Sequence, residues 1–379
     1  MRLAVIAPHF PEYTLRYAGG LAEHCEVLVC VDEAQLAAEY EGRSIPEGHN
    51  RMIERVRFKT PLDLLKLLYL TARFKPSIVH FQEAAGPRRG FFVACIATAM
   101  KPFARIVLTV HDPVPHAGRD AVAARRTARV RDYVRHLADI VVVHGAHCAR
   151  LYREGARRPR CEVVQSEHGL ILEPPVVQPN PPPPLKLYFF GRMEAYKGVE
   201  ILLAAAELLH AEGLPFELWI EGQGPELDRL QDRFLRLPEV KLHNGFVPPN
   251  RIIAAIQATE CVLLPYLSAT QSGVLAAAFA GRRYVIASET GGLPDVVEHM
   301  RNGLLVPPGD SRALAEAVRT LARDEGLRAR LRDGADATAQ VKLDWGRICK
   351  ELYRVFAGSV GRTVAPDATG RGATTGRAR

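Results

Sequence analysis

The chain has 379 residues, 47% of them hydrophobic and 24% charged, with 50 basic against 42 acidic side chains and a formal charge of +8. That length is more than one core usually supports and suits two domains of roughly 170 to 190 residues, while the composition excludes a disordered or collagen-like chain. Seven scattered cysteines without a CxxC pair exclude a disulfide framework and a cysteine zinc site, which fits reduced thiols and a cytoplasmic chain.

In chain order, "RLAVIAP", "EVLVCVD", "SIVHFQ", "RIVLTVHD" and "IVVVHG" read as strands, with helical patterns such as "PLDLLKLLYLTARF" and "DAVAARRTARVRDYVRHLA" between them. Continuous Val/Ile/Leu strands alternating with helices predict a parallel sheet covered on both faces. The opening "MRLAVIAPHF" lacks the pattern of a secretory leader, and "GFFVACIATAM" is too short to cross a bilayer. From Arg119 to Arg160 eleven arginines face four acids. This segment reads as a solvated helix face, as a docking patch for anionic lipid at the inner membrane face, or, least of the three, as a nucleic-acid contact.

Proline then punctuates the chain: "EPPVVQPNPPPPL" suits a semi-rigid connector, because proline has a fixed φ and no amide donor. The alternation restarts with "LKLYFFG", "GVEILLAAAELLHAEG", "FELWIEG", "VKLHNGF", "ECVLLPY", "RYVIAS" and "GLLVPP". The expected organisation is a first domain over 1–173, a linker over 174–185 and a second domain over 186–340. A terminal helix over 341–360 packs back toward the first domain, and a disordered tail covers 361–379. Two doubly wound domains would face a cleft, with ligands at the carboxyl ends of the strands.

In "FFGRMEAYKGVEILLAA" a strand ends at Gly191, followed at once by Arg192, Lys197 and a helix starting near Gly198. Two cations beside a helix N-terminus make a pocket the size of a diphosphate. Gly222 and Gly224 in "IEGQGPELDRL" allow close backbone approach, or else serve only a tight turn. "SATQSGVLAAAFAG" leads from Thr270, Gln271, Ser272, Gly273 and Val274 into a helix whose first amides are open to an anion. In the first half, His111 and Asp112 end "RIVLTVHD"; His111 reads as a proton carrier or as a capped loop residue. His9, His80, Glu83, His116 and His144 sit at or near neighbouring strand ends and could line the acceptor side. No spacing of His and acidic residues suggests a metal site.

The segments "GRMEAYKGVEILLAA", "EGQGPELDRL", "HNGFVPPNRI", "ATECVLLPY", "GRRYVIASETGGLPDVVE" and "NGLLVPPGD", in this order, resemble the retaining glycosyltransferases of family 4, which have the two-domain GT-B fold. The resemblance covers Leu187 to Asp310 and, more loosely, the first half. It implies a nucleotide-diphosphate sugar as donor substrate, with no further cofactor or metal. Arg192 and Lys197 would grip the diphosphate, Phe246 and Val247 would meet the base, and His111 would contact the sugar near its reacting carbon. The family's two glutamates fall on Ala269 and Ala277, so this chain carries a Gln-Ser-Gly turn instead. The first loop, "APHFPEYTLRYAGG", lacks the family's early glycines. The expected activity is metal-independent, retaining sugar transfer to a glycan, lipid-linked or small-molecule acceptor in cell-surface polysaccharide or glycolipid synthesis. The alternative is a non-catalytic nucleotide-sugar or glycan-binding subunit.

Overall fold

A computed structural model describes residues 1–360 apart from 42, 46, 47, 85, 115–118, 156–160, 175 and 180; the side chains of 119–125 are also outside it. The expected tail over 361–379 and His116 therefore lie outside the described residues.

Seven strands build the first sheet: β1 (Arg2–Ala7), β2 (Glu26–Asp32), β3 (Arg51–Val56), β4 (Ile78–Gln82), β5 (Arg105–Val110), β6 (Ile140–His144) and β7 (Glu162–Ser166). They lie in the order β3-β2-β1-β4-β5-β6-β7, every pair parallel. Parallel neighbours need long crossovers, supplied by α1 (Pro11–Ala22), α2 (Glu33–Glu39), α3 (Pro61–Phe74), α4 (Pro87–Met100), α5 (Arg119–Leu137) and α6 (Gly145–Gly155). The sheet carries one core on each face. Side chains of α3 to α6 pack on one, and those of α1 and α2 on the other.

The second sheet has six parallel strands: β8 (Leu185–Arg192), β9 (Phe216–Gln223), β10 (Val240–Asn244), β11 (Cys261–Leu264), β12 (Tyr284–Ser288) and β13 (Gly303–Val306). Their order is β10-β9-β8-β11-β12-β13. The helices are α7 (Val199–Ala211), α8 (Pro225–Phe234), α9 (Pro249–Ala258), α10 (Gly273–Ala280), α11 (Ser311–Arg323) and α12 (Glu325–Ala337). The last helix, α13 (Trp345–Val360), returns to the first half, where Ile348, Cys349, Leu352 and Phe356 join the core beside α1. Gly20 of α1 is what lets it approach: a Cβ there would lie 2.8 Å from Cys349 Sγ.

The expectation of two doubly wound domains stands, with two additions. Strands β3 and β7 are absent from the sequence reading because they are half-exposed edge strands, "RMIERV" and "EVVQS", without a continuous apolar run. "GFFVACIATAM" belongs to a helix, α4, with Phe92, Val93, Ile96 and Met100 turned to the core. Strand order reverses between β1 and β4 and between β8 and β11, and a crevice opens at such switch points beyond the strands' carboxyl ends.

The halves meet across that crevice. Thr270 Oγ1 donates to Asp112 Oδ1, and the His147 amide donates to Asp295 Oδ2 at 2.9 Å. Gly145, at φ +80°, is needed for the second contact, since a Cβ there would sit 2.5 Å from that same carboxylate oxygen. The Leu172 amide bonds Glu12 Oε1 at 2.8 Å, and Arg16 pairs with Glu173, so α1 also anchors the chain where it leaves the first half.

Candidate active site

Strand β8 runs one residue further than the sequence suggests, to Arg192, and a single 3-10 turn, Ala195–Lys197, leads into α7. Lys197 is not the surface cation its type suggests. It is buried, donates from Nζ to Tyr266 Oη at 2.6 Å and lies 4.0 Å from the centre of the Tyr266 ring. Burial, and then the neighbouring Arg192 charge, pull its pKa down to about 7, while Asp112 across the cleft opposes them. Arg192 is exposed beside Tyr196. One cation is thus held by aromatic rings and the other reaches solvent.

Facing them is the start of α10. Ser272 is its N-cap and accepts from the Leu275 amide at 3.3 Å, while the amides of Gly273 and Val274 precede the first intrahelical bond. Gly191 lies close by, since a Cβ on it would be 3.7 Å from Val274 Cγ2. The turn before α10 is fixed from behind by Gly291 and Gly292. A Cβ on either would strike the carbonyl of Ala269 or Thr270, at 1.7 and 2.1 Å. Ala269 and Ala277, where the resemblance would put two glutamates, are both buried in the core of the second half.

Gly222 and Gly224 resolve toward the tight turn. A Cβ on Gly222 (φ +150°) would lie 1.9 Å from the Gly191 carbonyl, and one on Gly224 (φ +154°) 2.6 Å from that of Met193. The chain itself fills the space above them. Phe246 is exposed and Val247 half-buried at the end of β10, open to a planar group.

On the first half's side, His111 is buried beneath Phe10, 4.6 Å away between ring centres, and edge-on to Tyr13 at 4.9 Å. Its Nε2 donates to Gln82 Oε1 at 2.9 Å, which fixes the proton on Nε2. Burial, then the His168 charge, lower its pKa to about 3. His111 is therefore a neutral hydrogen-bonding ring near neutral pH, not a carrier of a second proton. His144 and His168 adjoin it, at 5.1 and 6.3 Å between ring centres. Burial holds His168 to about 4 and pushes His144 well below the ordinary histidine value.

Two residues expected on the acceptor side are placed otherwise. His80 is sealed in the core between Tyr17 Oη (2.6 Å) and Thr109 Oγ1 (2.7 Å), because it sits mid-strand on the face under α1 and α13. Glu83 is taken up in a two-pronged ion pair with Arg135, at 2.6 and 2.9 Å. That pair also removes one arginine from the basic segment's outer face. His116 lies outside the described residues. His9 is half-buried next to Phe10, and Asp112 is occupied by Thr270. Tyr266, Tyr13, His168 and Asp295 escaped the sequence reading. Tyr266 and Asp295 lie within the quoted "ECVLLPY" and "GGLPDVVE", where a tyrosine next to a strand end was the available signal.

A cavity of about 520 Å³ is lined by Pro181, Pro215, Glu260, Arg323, Arg328 and Arg332 at the amino ends of the second sheet's strands. It is at the wrong edge for the chemistry above. Among the described residues no cluster of three or more His, Cys, Asp or Glu side chains could hold a metal ion, and no helix is long and apolar enough to cross a membrane.

Residues 12–166 match the family model "Glycosyltransferase Family 4", and residues 184–324 match "Glycosyl transferases group 1". The chain is 28% identical over 260 residues to the alpha-D-kanosaminyltransferase of Streptomyces kanamyceticus, covering 65% of this chain and 64% of that one. It is 32% identical over 170 residues to the phosphatidyl-myo-inositol mannosyltransferase of Mycobacterium leprae, covering 44% and 45%. The matches thus span less than two thirds of the first relative and less than half of the second. Among solved structures, Anabaena HepE in complex with UDP superposes with a TM-score of 0.69 at 16% identity, covering 94% of this chain and 100% of that one. At that identity the likeness speaks for the fold alone.

Proposed function

This chain belongs to the GT-B glycosyltransferases of the family 4 and group 1 type, and from that premise we propose that it moves a sugar, with retention, from a nucleotide-diphosphate sugar to a glycan or lipid-linked acceptor. The observation that carries the reading is the placement of Arg192, at the end of β8, and of buried Lys197 beside the first turn of α10 at the second sheet's carboxyl edge, with Gly191 close to Val274. The diphosphate would lie between the two cations and the Gly273 and Val274 amides. As the sugar's C1–O bond breaks, negative charge grows on the departing phosphate oxygen, where Lys197 and Arg192 stabilise it. The acceptor oxygen bonds C1 on the same face and its proton passes to that phosphate oxygen, so neither a protein nucleophile nor a metal is required. His111, neutral and oriented by Gln82, hydrogen-bonds the sugar. Uridine diphosphate, the ligand of the Anabaena protein, is the first nucleotide to try here.

The buried alanines at 269 and 277 favour the second reading, a nucleotide-sugar-binding subunit without turnover, because they leave the turn before α10 and α10 itself without a carboxylate of their own. Calorimetry with UDP, GDP and their sugars, followed by a donor-hydrolysis assay, separates the two. Binding with release of free sugar supports the transferase; binding without turnover against any acceptor supports the subunit. No binding at all would sink both.

For the acceptor, we place membrane docking on the outer face of α3 to α5. Leu62, Leu65 and Tyr69 repeat at three- and four-residue spacing on α3 with 75%, 60% and 60% exposure, and Phe91, Phe103 and Tyr133 are exposed nearby. Lys66, Arg73, Arg88, Arg126 and Arg129 are exposed among them, which suits an anionic bilayer surface at the cytoplasmic face. Sedimentation with phosphatidylglycerol vesicles should be lost in Leu65→Glu/Tyr69→Glu and weakened by salt. Equal sedimentation of wild type and variant would remove the idea.

A further inference from the structure

Of the four neighbouring histidines of the first half, three have hydrogen-bond partners: His80, in the core, has two, His111 has Gln82, and half-buried His168 donates from Nδ1 to the Gly169 carbonyl at 2.9 Å. His144 has none. Its side chain is buried, with 3% of the residue exposed, yet neither Nδ1 nor Nε2 has a partner at hydrogen-bonding geometry, although the Glu167 main chain passes near the ring. Gln271, on the opposite half, has the matching defect: its Oε1 is buried and unpartnered. Both residues line one small crevice at the domain interface, with Gly145 and His168 from the first half and Ser272 and Asp295 from the second.

Buried polar atoms are rarely left unpaired in native proteins, because each forfeits its hydrogen bonds to water. Two such groups, contributed by different domains and opening on the same space, mark a place where something polar belongs. The free space is about 20 Å³, enough for one water or one hydroxyl and far too little for a sugar ring. Chemistry narrows it further. A neutral imidazole offers one donor and one acceptor, and an amide oxygen only accepts. A hydroxyl fits both, donating to Gln271 Oε1 while accepting from the His144 ring N–H. An anionic group would meet Asp295 and Glu167 on the same lining, and a methylene would leave both orphans unpaired. Ser272, which caps the helix assigned to the diphosphate, borders the crevice, so a substituent of the sugar attached to that diphosphate can reach it.

We propose that His144 and Gln271 form a hydroxyl-recognition site for the transferred sugar, assembled only when the two domains meet. It rests on the transferase reading above. The site discriminates between sugars at one ring position and signals closure, because each domain supplies half of the pair. Neither residue holds the nucleotide.

The test compares His144→Phe and Gln271→Leu with wild type, using UDP, UDP-glucose, UDP-galactose, UDP-N-acetylglucosamine and GDP-mannose as probes, the tightest sugar being carried forward. Calorimetry should show affinity for the free nucleotide within about twofold of wild type. Affinity for the nucleotide sugar and the rate of donor hydrolysis should each fall about tenfold or more. Thermal melting of the ligand-free variants should match or exceed wild type, since each loses a buried polar atom that bonds nothing; a structural histidine would instead lower it. Gln271→Met, closer to glutamine in length, repeats the measurement if Leu packs poorly. An unchanged preference for sugar over nucleotide in both variants overturns this proposal and leaves the transferase intact. Wild type that binds no nucleotide sugar removes the transferase reading and this site with it.

Discussion

The two edges of the cleft bury ionisable groups to opposite ends. On the second half, Lys197 lies under Tyr266 with its pKa drawn to about 7, close enough to neutrality that an arriving phosphate restores its charge. On the first half, burial strips charge outright: His111 and His168 are held to about 3 and 4 and His144 well below its usual value, and His80 in the core behind them is held to about 3. One edge is an anion site waiting for its counter-charge and the other a neutral hydrogen-bonding wall. The lesson is that desolvation alone does not decide a group's role. What decides it is whether a ligand of opposite charge can compensate the burial.

The comparison breaks most completely if the anion edge loses its backbone. Gly222→Ala forces a Cβ into the Gly191 carbonyl and should cost about 3 kcal/mol in urea unfolding. Gly213→Ala, also at positive φ (+67°) but with nothing within 4 Å, should cost only about 1 kcal/mol. Next comes charge. Lys197→Ala should weaken UDP binding about 100-fold and Arg192→Ala about tenfold by calorimetry, because charge-assisted contacts contribute about 1.5–3 kcal/mol and the buried one is least screened.

Proton linkage sharpens the contrast. The native Lys197 pKa lies below its unfolded value, and a bound diphosphate raises it. UDP binding should therefore take up close to one proton near pH 8.5 and almost none at pH 6, with affinity falling as pH rises above about 7. Calorimetry in buffers of different ionisation enthalpy reads this directly. The histidine wall behaves in the opposite window. Its native pKa values lie below the unfolded 6.5, so the unfolded chain binds more protons between about pH 4 and 6.5. Stability should fall as pH drops through that range, with up to about four protons taken up on unfolding at pH 5, and His111→Gln should flatten the slope. The smallest effect is at the seam: Thr270→Val removes the bond to Asp112 and should lower kcat/KM about threefold while leaving the melting temperature within about 2 °C.

Much of the fold was legible because buried parallel strands are written as continuous apolar runs: "VVV" and "VLLP" admit few other readings. Edge strands were not, since β3 and β7 alternate weakly and face solvent. In the site, Arg192, Lys197 and the Ser272 cap follow from local signals: a strand end, a short turn and a helix start. The fate of Glu83 did not, because Arg135 is 52 residues away in the chain and on another helix. Nor did that of His80, whose partners Tyr17 and Thr109 lie on α1 and β5.

By itself the sequence determined two doubly wound halves, the proline-rich crossing between them, and a pair of cations beside a helix start. These depend on residues close together in the chain, where periodicity, capping and backbone geometry act. Only the tertiary structure decided which ionisable groups are buried, which are already paired, and which two polar side chains are left unpaired in one crevice at the seam. Desolvation and hydrogen bonding depend on every neighbour in space, and here those neighbours come from both domains.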